Sequence, residues 1–153
     1  MVMDLSQGAE FINVIVESTV ATTDSTGHTP VDMQGFDSLC YVGHVSNLTA
    51  AGDVGIEAYE ASSSAGTYYA LDTDYACASQ ITTTTGSDKT VIVLNINKPL
   101  RRWHSIRTHH ATQACRVNVV AIKYNAKEYP VSNTTDNYHA IDVVTVTSPT
   151  SSM

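Results

Sequence analysis

Residues Thr90–Asn97 read TVIVLNIN, and Lys98-Pro99-Leu100-Arg101-Arg102-Trp103 follow at once. Valine and isoleucine are stiff at χ1 and pack well on a pleated surface, so the run reads as a strand. Its apolar residues are nearly continuous, the pattern of a buried strand. Pro99 ends it, because proline cannot donate to a ladder. A short β-branched run closed by a strand breaker is the unit of an all-β domain, and further short runs bounded by turn formers fill the rest of the chain.

Working outward, Trp103–His109 and Cys115–Tyr124 (CRVNVVAIKY) follow on the C-terminal side. In the second, Val117, Val119 and Ala121 alternate with Asn118, Val120 and Ile122. On the N-terminal side lie Ala76–Thr83, Thr67–Leu71, Val54–Glu60, Phe36–Ser46 and Phe11–Val20. Val54, Ile56 and Ala58 share one face of their strand; Ile12, Val14 and Val16 share another, opposite Phe11, Asn13 and Ile15. Neither face of Phe36–Ser46 is cleanly polar, which suits a strand covered on both sides. Ile141–Thr147 is the last candidate. Turn formers such as Asp24-Ser25, Ser62–Gly66 and Gly86-Ser87-Asp88 separate these runs. The prediction is an all-β fold, a β-sandwich or jelly-roll-like domain of about eight or nine short, mostly antiparallel strands. Residues 1–10 read as an N-terminal arm, 11–147 as one domain, and 148–153 as a frayed tail.

Composition agrees. The chain has 153 residues, one domain's length, with 20 Thr, 15 Ser, 17 Val and 9 Ile against 6 Leu. No apolar run approaches the roughly 18 residues of a membrane-spanning helix, so no membrane partner is expected. No basic stretch followed by an apolar one opens the chain, so a cleaved secretory signal is not expected. Cys40, Cys77 and Cys115 are odd in number and widely spaced, unlike a disulfide framework.

Charge is segregated along the chain. Residues 1–88 hold twelve acidic groups and no Lys or Arg, residues 89–127 hold all eight basic ones and no acid, and residues 128–153 hold three acids. Two readings follow: acidic strands pair with basic ones inside the fold, or the surface is dipolar and docks on a complementary partner. Eight basic residues against fifteen acidic ones make a poor phosphate footprint, so nucleic acid is not an expected partner.

Motifs for chemistry are scarce. His104 and His109 are five apart, so in a strand they face opposite ways; there is no HxH or HExxH, and no metal site is expected. There is no GxSxG, P-loop or GxGxxG, and the Asp72/Asp74 spacing is ordinary for a loop. No catalytic residue, cofactor or metal is assigned, and the chain does not read as an enzyme. Tyr59, Tyr68, Tyr69 and Tyr75, near Ser62–Ser64 and Thr67, suit either a sugar-stacking surface or a capped sandwich edge. The segment from Asn97 to Trp103 is more specific. Arginine and tryptophan are enriched at interface hot spots, and arginine forks hold carboxylates bidentately.

Three stretches carry a resemblance: Val31–Leu39 (VDMQGFDSL), Val91–Trp103 (VIVLNINKPLRRW) and Val119–Val131 (VVAIKYNAKEYPV), together about a quarter of the chain. In order and spacing they resemble a family of small structural proteins encoded beside capsid genes in tailed bacteriophages. Met33 stands where that family has a small hydroxyl residue, and Trp103 where it has tyrosine. The resemblance implies a capsid cement or decoration protein, made in the host cytoplasm. It would sit on the outer capsid surface of the virion and tie neighbouring major capsid protein subunits together. On this reading Lys98, Arg101, Arg102, Trp103 and Arg107 form the protein interface, with the terminal arms beside them. A homo-oligomer, dimer or trimer, is expected because a small sandwich must protect its edge strands. The alternatives are a host-receptor or carbohydrate-binding module, or a neck or tail part of the virion.

Overall fold

The structure, a computed structural model, describes residues 8–15, 29–47, 52–71, 78–83, 90–110 and 115–127. The expected strand Ile141–Thr147, the 148–153 tail, most of the 1–10 arm, Tyr75, Cys77, Asp72 and Asp74 lie outside the described residues.

The β-branched runs form nine strands: β1 (Ala9–Ile15), β2 (Val31–Asp32), β3 (Phe36–Ser46), β4 (Gly52–Ala61), β5 (Tyr69–Ala70), β6 (Ala78–Thr83), β7 (Thr90–Asn97), β8 (Trp103–His110) and β9 (Arg116–Ala126). They make a β-sandwich of two antiparallel sheets. One has the order β1-β9-β3-β7; the other has β2-β8-β4-β5, with β6 also paired to β4. The pairs are nested: β1 with β9, β2 with β8, β3 with β7 and β4 with β6. The chain therefore runs out and returns as one long antiparallel ribbon. Ladders β3–β9 and β4–β8 then curl that ribbon into two layers. With the two-residue β5 set aside, this is the strand order of a jelly roll.

Alternation sets the core. Leu39, Tyr41 and Val45 of β3, Val54 and Ile56 of β4, Ile92 of β7, Ile106 of β8, and Val117, Val119 and Ala121 of β9 are all buried between the sheets. Each large aliphatic side chain placed there contributes about 1.5–3 kcal/mol. Among the described residues Tyr41 is the largest fully buried side chain, and its hydroxyl has no hydrogen-bond partner there. Burial, with Tyr68 nearby, pushes its phenol far above the ordinary value and keeps it neutral.

Three strand readings change. The first strand opens at Ala9, two residues early, and its register shifts between Asn13 and Ile15. That bulge buries Val14 and Ile15 in succession, so Ile15 does not share the outward face of Phe11 and Asn13. The second is β7, read as buried, which ends its sheet and leaves Val91 54% and Val93 56% exposed. The third is β3, read as covered on both sides. It is buried from Leu39 to Val45 on one side only; on the other, Ser38 is buried, Cys40 and Val42 are half-buried and His44 is exposed.

Candidate interaction corner

The three stretches that carry the resemblance meet at one corner, where the two sheets join. β2 lays Val31 and Asp32 against His104 and Trp103 of β8. The chain then turns over residues Met33–Phe36, closed by Phe36 N–H donating to the Met33 carbonyl at 3.0 Å. Gly35, third in that turn, has φ +86°, a backbone state that suits glycine. The two other stretches hold the turn in place. Met33 N–H donates to Arg102 O at 2.8 Å, Lys98 N–H to Asp37 O at 2.9 Å and Lys127 N–H to Gly35 O at 2.8 Å.

Asp32 is the hub. Its Oδ1 accepts from Arg102 Nε at 2.8 Å and from Gln34 N–H at 2.9 Å, and its Oδ2 accepts from Arg102 Nη2 at 2.7 Å. Arg102 Nη2 also reaches Gln34 Oε1, and its guanidinium lies over the Trp103 ring at 5.4 Å. The fork on Asp32 holds that carboxyl below its usual range, against the opposing effect of burial. The Asp32 carbonyl accepts from Lys123 Nζ at 2.9 Å. Lys123 is 6% exposed, lies over the Phe36 ring at 4.6 Å and pairs with Glu10 at 2.9 Å.

Each residue of the expected interface has a definite place. Lys98 is exposed at the end of β7, with φ +52°. Arg101 stacks over Tyr69 at 4.7 Å, with its Nε 3.6 Å from Glu60. Arg102 and Trp103 belong to the Asp32 hub. Arg107 lies four residues further along β8, roughly 13 Å from Trp103 at strand spacing, and pairs with Glu57 at 2.6 Å. Tyr59 donates its hydroxyl to the same Glu57 at 2.8 Å. The corner therefore gathers Lys98, Arg101, Arg102 and Trp103, while Arg107 sits apart.

Sequence reading missed two residues. Leu100, between Pro99 and the arginines, is 91% exposed. It overhangs an open groove of about 320 Å³ lined by the Met33–Asp37 turn, residues 99–102 and Lys127. Lys123 continues the inward series of Val117, Val119 and Ala121, so period-two counting would have placed a lysine in the core.

The charge pattern resolves in favour of folding. Glu10, Asp32, Asp37, Glu57 and Glu60 pair with Lys123, Arg102, Lys127, Arg107 and Arg101. Each pair joins an acid from the first 88 residues to a base from 89–127. His104 is fully buried. Its Nε2 lies 3.1 Å from the Arg101 carbonyl, and burial lowers its pKa below the ordinary 6.5. The neutral ring thus donates from Nε2, while its Nδ1 and Glu60 Oε2 have no hydrogen-bond partner among the described residues.

A second depression, of about 420 Å³, brings Ser62, Ser63, Gly66, Thr67 and Tyr69 together with Arg101. Among the described tyrosines of the cluster, Tyr59, Tyr68 and Tyr69, only Tyr69 lines it. Tyr68 donates to Ser64 O at 3.1 Å, and Tyr59 sits on Glu57. The chain matches no protein-family model and no curated protein.

Proposed function

We propose that this chain is a capsid cement protein, a non-catalytic virion part that binds the outer face of the major capsid protein shell and stabilises it. The observation that carries this reading is the corner. The three stretches resembling that protein family are far apart in sequence, and their described residues are hydrogen-bonded together at one corner. Its apex, Leu100, is almost wholly in water. A leucine held out by a proline, two paired arginines and a braced turn is a preorganised anchor, and little freedom remains to be lost on docking. The jelly-roll strand order gives secondary support by analogy, since shell-forming and lectin domains use it; fold alone assigns no function.

The geometry also divides the work within the corner. Arg102 holds Asp32, and Arg101 stacks on Tyr69; these are braces. Leu100 and Lys98 are the groups turned to a partner. Leu100→Asp lowers occupancy on purified capsids by about tenfold or more, and Lys98→Glu by less, with the fold intact by circular dichroism. Unchanged occupancy with Leu100→Asp overturns the assignment of this corner.

The depression at Tyr69 favours a second reading, a carbohydrate- or receptor-binding module. A largely exposed tyrosine, three hydroxyls and an arginine suit a sugar ring. A glycan array showing no binding above background counts against it.

A further inference from the structure

The outward face of the four-stranded sheet is unlike any other part of the described surface. Register places Val93, Val42, Val120 and Asn13 side by side across all four strands. The next row is Asn95, Cys40, Ile122 and Phe11. Val91 lies beside His44 and Asn118. The one Lys, Arg, Asp or Glu registered on this face along the described ladders is Arg116, at its end opposite Ser46. An antiparallel sheet with one side in water alternates apolar and polar residues. Here both sides of β9 are aliphatic at their centre. Val91 and Val93 are exposed, and Val42, Val120, Ile122 and Phe11 beside them are half-buried; contiguous apolar patches open to water mark interaction sites.

We infer that this face packs against the same face of a second copy, making a two-fold dimer of stacked sheets. Charge selects the partner. The chain carries a net charge of −7, and its ion pairs lie at the corner, between the sheets and on the opposite sheet. A charged partner surface would lose hydration against valines and gain no ion pair. An uncharged, gently twisted sheet fits, and a second copy supplies one. Asn13 is exposed on this face, and its amide both donates and accepts, so a two-fold axis lets it pair with its own kind. Size is sufficient. Four strands about 4.8 Å apart and some six residues long span roughly 20 by 20 Å. With side-chain relief that reaches the small end of specific interfaces, about 1,200 Å² in total. This surface is separate from the Leu100 corner, so the dimer and the capsid contact fail independently.

Sedimentation velocity of the full chain across the micromolar range tests the proposal. Wild type sediments as a dimer, Val93→Glu and Val120→Glu each weaken association by about tenfold or more, and Arg107→Ala on the opposite face leaves it unchanged. A second readout needs no variant. Peptide-mapped maleimide labelling of Cys40, half-buried on this face, slows as wild-type concentration rises through the dimer range. A wild-type monomer at every concentration overturns the proposal: the face is then covered by another part of the chain or kept for the shell. A dimer that survives both glutamates, with Cys40 labelling independent of concentration, also overturns it, because self-association then uses another surface.

Discussion

The two outward faces of this sandwich differ more than the two inward ones. On the five-stranded sheet Glu57 stands opposite Arg107, Tyr59 opposite Ser105, and Gly55 opposite His109. On the four-stranded sheet the corresponding positions hold valine, isoleucine, phenylalanine and asparagine. Inside, both sheets bury mainly aliphatic residues at every second position, because the core demands it, with polar groups such as Lys123 and His104 toward the strand ends. Outside, the fold makes no such demand, so composition reports what each face meets. Ion-paired glutamate and arginine belong in water; half-exposed valines belong under a cover. The lesson is that strand periodicity finds the core, while the residues between the core positions carry information about partners.

The largest expected effect comes from the inner layer, where Lys123 breaks the aliphatic rule. Lys123→Ala leaves Glu10 nearly buried and the Asp32 carbonyl without its donor, at a cost of about 3 kcal/mol. For a chain of this length that lowers the thermal midpoint by roughly 6–12 °C. The double variant Glu10→Leu/Lys123→Met should lose less than Lys123→Ala alone, because neither charge is stranded. Calorimetry of the three proteins checks both statements.

The contrast between the outward faces is broken next by Val93→Glu or Val120→Glu, with about a tenfold loss of self-association and little loss of stability. His104 supplies a pH dependence. Its folded-state pKa lies below 6.5, so the unfolded chain takes up a proton first as pH falls. Stability therefore holds above about pH 6.5 and declines below it until the buried ring itself protonates. Chemical denaturation at pH 7.5 and 5.5 should show this decline, and His104→Gln, which keeps a donor toward Arg101 O, should reduce it. The smallest effect belongs to the charged outward face. Arg107→Ala should cost no more than about 1 kcal/mol, since the pair with Glu57 is partly solvated.

Much of the fold is legible in sequence because it is local. β3 and β7 run where their alternation and the proline stop place them, and Val54, Ile56 and Ala58 share a buried face as their spacing requires. The sequence reading that β3 is covered on both sides fails for one protomer, and a second copy on Cys40 and Val42 would account for it. What sequence hides is non-local. The partner of Arg102 lies 70 residues away at Asp32, and no periodicity links them. The edge position of β7 follows from strand order, which its own valines do not encode. The bulge after Asn13 shifts the pattern by one residue, so Ile15 counts to the wrong face. Leu100 is hidden for a different reason: exposure depends on how the Met33–Asp37 turn and the Pro99 corner meet, and each is an ordinary loop by itself.

The most direct measurement is quantitative mass spectrometry of this chain against the major capsid protein in purified virions. A cement protein appears in a fixed ratio to the capsid subunits, across the whole shell. A few copies per particle would move the chain to the neck or tail, and its absence from virions would contradict the structural reading altogether.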